Sequence, residues 1–224
     1  MFVLKVFSYF ADFICRYKMV LRERIVQESS KLFFKNGIRS VTMSDIAVYL
    51  GISKRTLYEV FKDKEELLEV CINAHMEKVD LEIRELLVNS ENVIESMMRI
   101  YRSHLTEVHN TNKSMIYDLK KYHPRLYDKI ENMQRSGVSL MVPLHEKGIE
   151  QGLIRPEINF EICTWLMKSQ FKMLMEGEFI PIERYDMNEF VRTIILNFVR
   201  GIATPKGNEL IDSIVSEYNL SDVN

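Results

Sequence analysis

Apolar residues recur along this chain three or four positions apart, and no stretch alternates in the two-residue period of a β-strand. From Val20 the pattern predicts a first helix that reaches about Asn36, where the pair Asn36-Gly37 supplies a C-terminal stop. Helical spacing then continues, with short interruptions, to Ile202. The sequence therefore predicts an all-α fold of about nine helices.

Three further helix starts follow closely on the first helix. A Thr or Asp followed three residues later by Asp or Glu forms a capping-box pattern, which occurs at the starts of a second and a fourth helix. A serine cap precedes a third helix over residues 54–60, and a glycine ends the second. The residues concerned are Thr42, Asp45, Gly51, Ser53, Asp63 and Glu66. This run of caps predicts a short second helix, a third helix and a long fourth helix in close succession.

The rest of the chain is predicted to form longer helices. Their expected spans are about residues 94–108, 113–122, 124–151, 160–176 and 187–202. Pro124 starts the third of these and Gly152 closes it. Pro143 inside it is expected to kink it, because proline lacks the N–H that a helix interior uses.

Charge is unevenly distributed, although the net charge is only −2. Residues 1–64 hold 12 Lys and Arg against 6 Asp and Glu, a net +6, whereas the remaining residues hold 18 against 26, a net −8. Clustered positive charge favours binding to a polyanion such as DNA, because condensed counterions are released. A chance distribution of surface charge is the alternative. We expect a small basic module ahead of an acidic body.

The first residues raise the question of a signal peptide or membrane anchor. Residues 2–15 are apolar at 11 of 14 positions, but they contain Asp12, lack a small-residue cleavage site and fall short of the roughly 20 residues that span a bilayer. We expect the natural start at Met19, with residues 1–18 an extension or a loose preceding helix. No membrane association is predicted.

The three cysteines are far apart and form no CxxC pair, so the sequence encodes neither a disulfide framework nor a zinc site. No cluster of His, Cys or carboxylate residues has the spacing of metal ligands. We therefore predict no metal and no cofactor. A reducing, cytoplasmic location fits this cysteine content best.

A helix-turn-helix spacing spans the second and third predicted helices. With Met43 as position one, Ala47 falls at five, Gly51 at nine and Leu57 at fifteen. A small Ala47 lets two helices cross closely, Gly51 can take the positive φ of the tight turn, and Leu57 seats the second helix on the first. The motif predicts that the helix over residues 54–60 is a recognition helix.

The first turn of this helix carries the residues expected to face DNA. With Ser53 as N-cap, it presents Lys54, Arg55 and Thr56, the positions that a recognition helix points at base edges. Arg55 suits guanine, because its fork matches O6 and N7. Exposed cations at a helix N-terminus oppose the helix dipole, so Lys54 and Arg55 need compensation, which a phosphate or base edge would supply.

The run from Arg24 to Leu68 resembles the signature of the tetracycline-repressor (TetR/AcrR) family of transcriptional regulators. It reads RIVQESSKLFFKNGIRSVTMSDIAVYLGISKRTLYEVFKDKEELL. The family pattern is met at Phe33, Gly37, Thr42, Ile46, Ala47, Gly51, Ile52, Ser53, Thr56, Leu57, Tyr58, Phe61, Lys64, Glu65, Glu66 and Leu67. The resemblance implies a three-helix helix-turn-helix DNA-binding domain over residues 19–65 and a helical ligand-binding and dimerisation domain over residues 66–224.

The same resemblance implies particular DNA contacts. It assigns Thr42, Tyr58 and Lys64 to phosphates, and Lys54, Arg55 and Thr56 to the major groove. The full set of candidate DNA-binding residues is Thr42, Ser53, Lys54, Arg55, Thr56, Tyr58, Lys62 and Lys64.

Other roles remain open for some of these positions. Tyr58 could be a core aromatic residue, as we expect for Phe61, and Lys62 with Lys64 could form a solvated helix end. Glu59 and Val60 stand where ring residues are frequent in the family. We therefore expect a different base preference, in which Glu59 can accept a hydrogen bond from cytosine N4.

The last two predicted helices are apolar on more than one face. Residues 160–175 place Phe160, Cys163, Met167, Phe171 and Leu174 on one side and Ile162, Trp165 and Met173 on another. Because one core cannot bury both faces, we predict a homodimer with a four-helix interface. The predicted interface residues are Trp165, Met173, Val191, Ile194, Ile195, Phe198 and Ile202. Two recognition helices would then meet successive major grooves of a palindromic operator, about 34 to 36 Å apart.

A set of methionines and aromatic residues predicts a site for a small hydrophobic or amphipathic ligand, because Met adapts to varied apolar shapes. The candidates are Met97, Tyr101, His104, Met115, Tyr117, Met133, Met141 and Phe171. The alternative is that the methionines belong to the core and that His104 lies at the surface. Ligand binding would favour a conformer whose recognition helices no longer match the grooves, which releases a repressor from DNA.

Two other functions are alternatives for this sequence. A regulator without a sensor would use its body only as a dimerisation or partner-binding scaffold, and a ligand that raises the melting temperature or releases DNA would rule this out. An enzyme has little support, because no GxSxG elbow, phosphate-binding glycine loop or HExxH motif occurs. We predict no catalytic residues.

Overall fold

A computed structural model gives the architecture of the chain. It describes the backbone of residues 2–136, 141–176 and 185–217, and within these the side chains of residues 16–100, 102–103, 111–133, 141–174 and 185–216. The described helices are α1 Phe2–Asn36, α2 Met43–Leu50, α3 Lys54–Val60, α4 Lys64–Asn89, α5 Val93–Asn110, α6 Lys113–Tyr122, α7 Pro124–Ser136, α8 Val142–Glu150, α9 Phe160–Glu176, α10 Met187–Ile202 and α11 Pro205–Glu217. The predicted all-α fold is confirmed.

The predicted helix ends between α1 and α4 are confirmed, except for half of the capping box at the start of α4. Gly37 and Gly51 follow α1 and α2 with positive φ of 84° and 66°. Before α4 the N–H of Glu66 donates to Asp63 Oδ1 at 2.9 Å. The return bond differs from the expected box, because Glu66 Oε2 accepts from the N–H of Lys62 at 2.7 Å and not from that of Asp63.

The prediction that the first helix begins near Val20 is wrong. The helix α1 runs without a break from Phe2 to Asn36. No Pro or Gly occurs in this span, so nothing in the sequence stops a helix from extending through it. The status of residues 1–18 in the native protein stays a prediction.

The prediction of one kinked helix over residues 124–151 is also wrong. Two helices occupy this stretch, α7 and α8, and residues 137–140 between them lie outside the described part. Pro143 lies in the first turn of α8, where its missing N–H costs no intrahelical hydrogen bond. Proline here marks a helix start, and Gly152 with φ 69° follows the end of α8 as expected.

The helix α11 was not predicted. Thr204 caps it, since Thr204 Oγ1 accepts from the N–H of Gly207 at 3.1 Å and the Thr204 carbonyl accepts from the N–H of Asn208 at 2.9 Å. Pro205 occupies its first turn. A proline and a glycine within three residues obscure the helical pattern that follows. With the division into α7 and α8, this helix raises the predicted nine helices to the eleven that the described ranges contain.

The chain divides into two units, Met1–Lys78 and Val79–Asn224, so the division falls inside α4. The predicted boundary after residue 65 stays a prediction. In the first unit, here the head, α1, α2 and α3 pack against one another. Its buried apolar residues are Leu21, Ile25, Val26, Phe33, Ile38, Val41, Met43, Ile46, Ala47, Leu50, Leu57, Phe61, Leu67, Leu68, Cys71 and Ile72.

The second unit, here the body, has its own core. Buried residues of α5, α8, α9, α10 and α11 form one cluster, in which α10 packs against α5, α9 and α11. The largest fully buried members include Ile94, Met97 and Ile154. An isolated antiparallel bridge joins Ile154 to Ala203, and the described ranges contain no strand.

Candidate nucleic-acid interface

The start of α2 is fixed by a reciprocal cap at Thr42. Thr42 Oγ1 accepts from the N–H of Asp45 at 3.2 Å, while the N–H and hydroxyl of Thr42 donate to Asp45 Oδ2 at 2.9 and 2.7 Å. These hydrogen bonds hold the pKa of the Asp45 carboxyl below its usual value. The hydroxyl proton of Thr42 is therefore used within the head, and the predicted phosphate contact requires it to turn away from Asp45.

The start of α3 is fixed by Ser53 and Thr56. Ser53 Oγ accepts from the N–H of Thr56 at 3.0 Å, and the two hydroxyl oxygens lie 2.8 Å apart. Leu57, in the middle of α3, is fully buried and attaches the helix to the head. Gly51 provides the left-handed turn before it. The predicted helix-turn-helix geometry is confirmed, and it leaves the outer face of α3 in solvent.

Lys54 and Arg55 lie on that outer face, each beside a residue one turn further along α3. The Lys54 ammonium is 5.9 Å from the centroid of the Tyr58 ring. Arg55 Nε donates to Glu59 Oε1 at 3.0 Å, with side chains 89% and 60% exposed. The prediction that Arg55 needs DNA to compensate its charge is wrong, because the Glu59 carboxylate compensates it within the chain.

The remaining candidates differ in their surroundings. Tyr58 is exposed, so it is not a core aromatic residue, whereas Phe61 is buried as predicted. Lys62 is exposed at the end of α3. Lys64 is half-buried, and its ammonium donates to the Ile38 carbonyl at 2.5 Å. This hydrogen bond links the start of α4 to the turn after α1, and the predicted contact of Lys64 with a phosphate would be additional to it.

Sequence reasoning missed two arginines of α1. The guanidinium of Arg22 lies 5.1 Å from the centroid of the Phe61 ring, which adds an exposed cation beside the end of α3. Arg24 Nη2 donates to the Leu50 carbonyl at 3.0 Å and so binds the C-terminal end of α2. No local pattern identifies either residue, because the partners are distant in sequence.

Five of the predicted dimer residues lie in the core of the body. They are Val191, Ile194, Ile195, Phe198 and Ile202 of α10. The premise that one core cannot bury this helix is wrong, because α5 and α11 cover the faces that α9 leaves. These five residues are therefore not available at the surface for an interface.

The other two predicted dimer residues are exposed on α9. Ile162, Trp165, Leu166 and Met173 are 55%, 38%, 59% and 40% exposed, and their spacing places them along one side of the helix. We name these four residues the α9 stripe. The opposite side of α9 is buried in the body. The predicted two-faced character of α9 is therefore confirmed, and its second face is exposed in the described part of the chain.

The buried ligand candidates belong mainly to the core. Met97 is fully buried within the core cluster of the body, and Met141 and Phe171 pack against that cluster. Met115 of α6 is buried outside it. These surroundings favour the core alternative for Met97 in particular.

Of the other ligand candidates, Tyr117 and Met133 have described side chains. Tyr117 is exposed, and its hydroxyl accepts from the Lys121 ammonium at 2.7 Å. Met133 is half-buried on α7. Tyr101 and His104 lie on α5, but their side chains are outside the described residues.

A histidine that the sequence analysis did not select has a buried polar atom. The ring of His145 stacks on Phe160 with centroids 4.7 Å apart. Its Nε2 is buried and has no hydrogen-bond partner among the described residues. A buried polar atom without a partner is costly, so a bound molecule that hydrogen bonds to this nitrogen would gain from it.

None of the described helices combines the length and the apolar character that crossing a membrane requires.

The fold and the outer face of α3 define a helix-turn-helix DNA-binding protein. A family model described as bacterial regulatory proteins, tetR family, matches residues 25–71. YvaF, an uncharacterised HTH-type transcriptional regulator of Bacillus subtilis, is 26% identical over 183 residues, which cover 80% of this chain and 94% of that protein. The HTH-type transcriptional repressor KstR2 of Mycobacterium tuberculosis is 23% identical over 146 residues, 63% of this chain and 72% of KstR2.

Solved structures agree with this assignment. A TetR-family regulator from Marinobacter aquaeolei has a TM-score of 0.67 at 20% identity, with 88% of this chain and 98% of that chain covered. The structure of the ketosteroid transcriptional regulator KstR2 has a TM-score of 0.56 at 17% identity, with 82% and 95% covered. At these identities the likeness establishes the fold. The match of residues 25–71 and the curated relatives support a transcriptional regulator of the TetR/AcrR family, and those relatives are named as transcriptional regulators.

Proposed function

We propose that this chain is a cytoplasmic repressor that binds a palindromic operator as a homodimer and leaves it when a small apolar or amphipathic molecule binds the body. The observation that carries the DNA-binding part is the outer face of α3. Lys54 and Arg55 are exposed there in the first turn. Ser53 caps the N-terminus of the helix, and the buried Leu57 packs it against the head. A short helix held in this way can enter a major groove as a rigid element.

The distribution of charge along the chain also supports DNA binding through the head. Residues 1–64 carry a net +6 within a chain of net −2. A basic module gains affinity for DNA through counterion release, and the acidic remainder is repelled by phosphates. Two of these positive charges, Arg22 of α1 and Lys62, are exposed near the end of α3.

The α9 stripe supports a homodimer. Its four residues form an apolar face on a helix whose other side is already buried. A second copy of the chain carries the same face, so a two-fold pairing buries both stripes with one type of contact. We therefore keep Trp165 and Met173 as interface residues and add Ile162 and Leu166, whereas the five core residues of α10 are left out.

The proposal of a bound ligand is supported by a buried polar atom in the body. His145 offers a buried nitrogen without a hydrogen-bond partner in the described part, next to apolar side chains that include Phe160. The protein KstR2 is named as a ketosteroid regulator and as a repressor, and ketosteroids are small and largely apolar. These points support a sensor for an apolar molecule with one polar group.

The test of the DNA-binding part is the double variant Lys54→Ala/Arg55→Ala. We expect it to lose at least about 100-fold in affinity for a duplex that the wild-type protein selects from a random pool, because a good base contact alone is worth about 5- to 150-fold. Affinity is measured by fluorescence anisotropy at fixed salt. Helicity and oligomeric state should not change.

The matched control is Arg125→Ala/Lys147→Ala, which removes two exposed cations from the body. It changes the net charge by the same amount and is expected to reduce affinity by less than about threefold, since these residues lie outside the head. Equal affinity of the α3 double variant and the wild type would contradict the recognition-helix assignment.

A further inference from the structure

The two cations in the first turn of α3 have chemically different partners. Lys54 lies over the ring of Tyr58, which carries no charge, whereas Arg55 is paired with the Glu59 carboxylate. The first pair therefore keeps a net charge of +1 and the second has a net charge of zero. Affinity from counterion release depends on net charge, so the two pairs are suited to different tasks on DNA.

Lys54 and Tyr58 are suited to phosphates. An ammonium group attracts any phosphate, and this attraction is independent of base sequence. Arg55 with Glu59 gains little from such attraction, because the carboxylate cancels the guanidinium charge at close range. The pair can still form directional hydrogen bonds, since an Arg side chain presents several N–H donors in a fixed plane.

The geometry of the pair leaves the base-reading edge of Arg55 open. Glu59 Oε1 accepts from Nε, at the side of the guanidinium. The two terminal Nη groups lie at the end of the side chain and form the fork that fits guanine O6 and N7. A flexible Arg loses side-chain freedom when it binds, and a partner that already holds it reduces this loss.

We infer that Glu59 is a positioning residue that fixes Arg55 for one guanine of the operator half-site, and that it raises selectivity for this guanine while lowering affinity for DNA in general. The inference rests on the proposed function, since it requires α3 to enter the major groove. The two effects have opposite signs, because the carboxylate that orients Arg55 is also repelled by phosphates. If the ion pair only stabilised the helix, Glu59 would lower the affinity for DNA in general and would not change the selectivity for this guanine.

The experiment uses the full-length protein and the duplex that it selects from a random pool. Each guanine of the half-site is replaced in turn, and affinity is compared with that for an unrelated duplex of equal length. For the wild-type protein we expect one guanine whose replacement weakens binding at least about tenfold. Arg55→Ala should abolish this penalty, which identifies the guanine that Arg55 contacts.

In Glu59→Gln the penalty at that guanine should fall below about threefold, while affinity for the unrelated duplex should rise. Glu69→Gln, which removes one carboxylate from the exposed surface of α4, is the control for net charge and should keep the full penalty. Thermal unfolding of both variants checks that the head remains folded.

The possible failures are distinct. A full penalty at the guanine in Glu59→Gln overturns the positioning role of Glu59 and leaves the proposed function intact. An Arg55→Ala variant that keeps every wild-type base preference overturns the inference as well, since Arg55 would then read no base. A wild-type protein that selects no sequence from the pool overturns the proposed function, and the inference with it.

Discussion

The turn that presents α3 depends on one residue, Gly51. Its φ of 66° lies in the left-handed region, and its N–H bonds to the carbonyls of Ala47 and Val48. A Cβ added at this position would meet no atom within 4 Å, so the cost of a side chain is conformational and not steric. An L-residue with a side chain has a higher conformational free energy at this φ than Gly, and for Asn the difference is smaller than for other residues.

We expect Gly51→Ala to lower the free energy of unfolding of the head by about 1 to 2 kcal/mol. Gly51→Asn should lower it by less, because Asn tolerates the left-handed conformation better. Urea unfolding followed by circular dichroism measures both. Equal stability of the Ala variant and the wild type would mean that this turn is not strained.

Residues whose partners are close in sequence were predicted well. Thr42, Ser53 and Gly51 follow from spacing alone, because each acts on a helix end within three or four positions. Arg22 and Arg24 were missed, because their partners come from α2 and the end of α3. The pairing of Arg55 with Glu59 is local, but the sequence alone does not distinguish such a pair from two separate base contacts.

Among the elements of the body, the turn after α8 and the turn before α11 are bound together. The N–H of Arg155 donates to the Ile202 carbonyl at 2.9 Å, and the N–H of Thr204 donates to the Leu153 carbonyl at 3.0 Å. Gly207 in the first turn of α11 lies directly against the Leu153 carbonyl oxygen, where a Cβ would overlap it. Only glycine therefore permits this close approach.

Gly207→Ala should destabilise the body by about 1 to 3 kcal/mol, because a backbone oxygen cannot move aside as a flexible side chain can. Gly201→Ala is the matched control. Gly201 is in α10, with open space around its missing Cβ, so Ala there should be neutral or stabilise by up to about 1 kcal/mol. Chemical unfolding of the two variants gives the comparison. Similar stabilities would show that the turn adapts to a methyl group.

Helix spans were predictable where the pattern is uninterrupted, as for α9 and α10, whose bounds agree with the expected ones. The prediction of helix spans failed where a proline or glycine lies at the start of a helix. The position of Pro143 in the sequence predicts a kink, but this proline lies in the first turn of α8. Pro205 and Gly207 interrupt the apolar spacing, so the pattern does not predict α11. Sequence spacing does not distinguish a proline that breaks a helix from one that begins it.

For the whole molecule, the decisive quantity is how much apolar surface one chain buries by itself. Apolar periodicity marked α9 and α10 equally as interface helices. Only the packing of α5 and α11 on α10 separates them, because it buries one helix and leaves the α9 stripe exposed. That packing joins segments far apart in the chain, which local spacing cannot reveal. We therefore predict a dimer through the α9 stripe, in which the two copies of α3 bind one DNA duplex.

The most direct test is the half-site arrangement in duplexes that the purified protein selects from a random pool. We expect two inverted half-sites with centres about 10 base pairs apart, as two recognition helices about 34 to 36 Å apart require. Trp165→Glu/Met173→Glu, which places charges in the α9 stripe, should give a monomer that no longer enriches the paired arrangement. Selection of no sequence, or of a single unpaired element by a wild-type protein that is monomeric, would contradict this expectation.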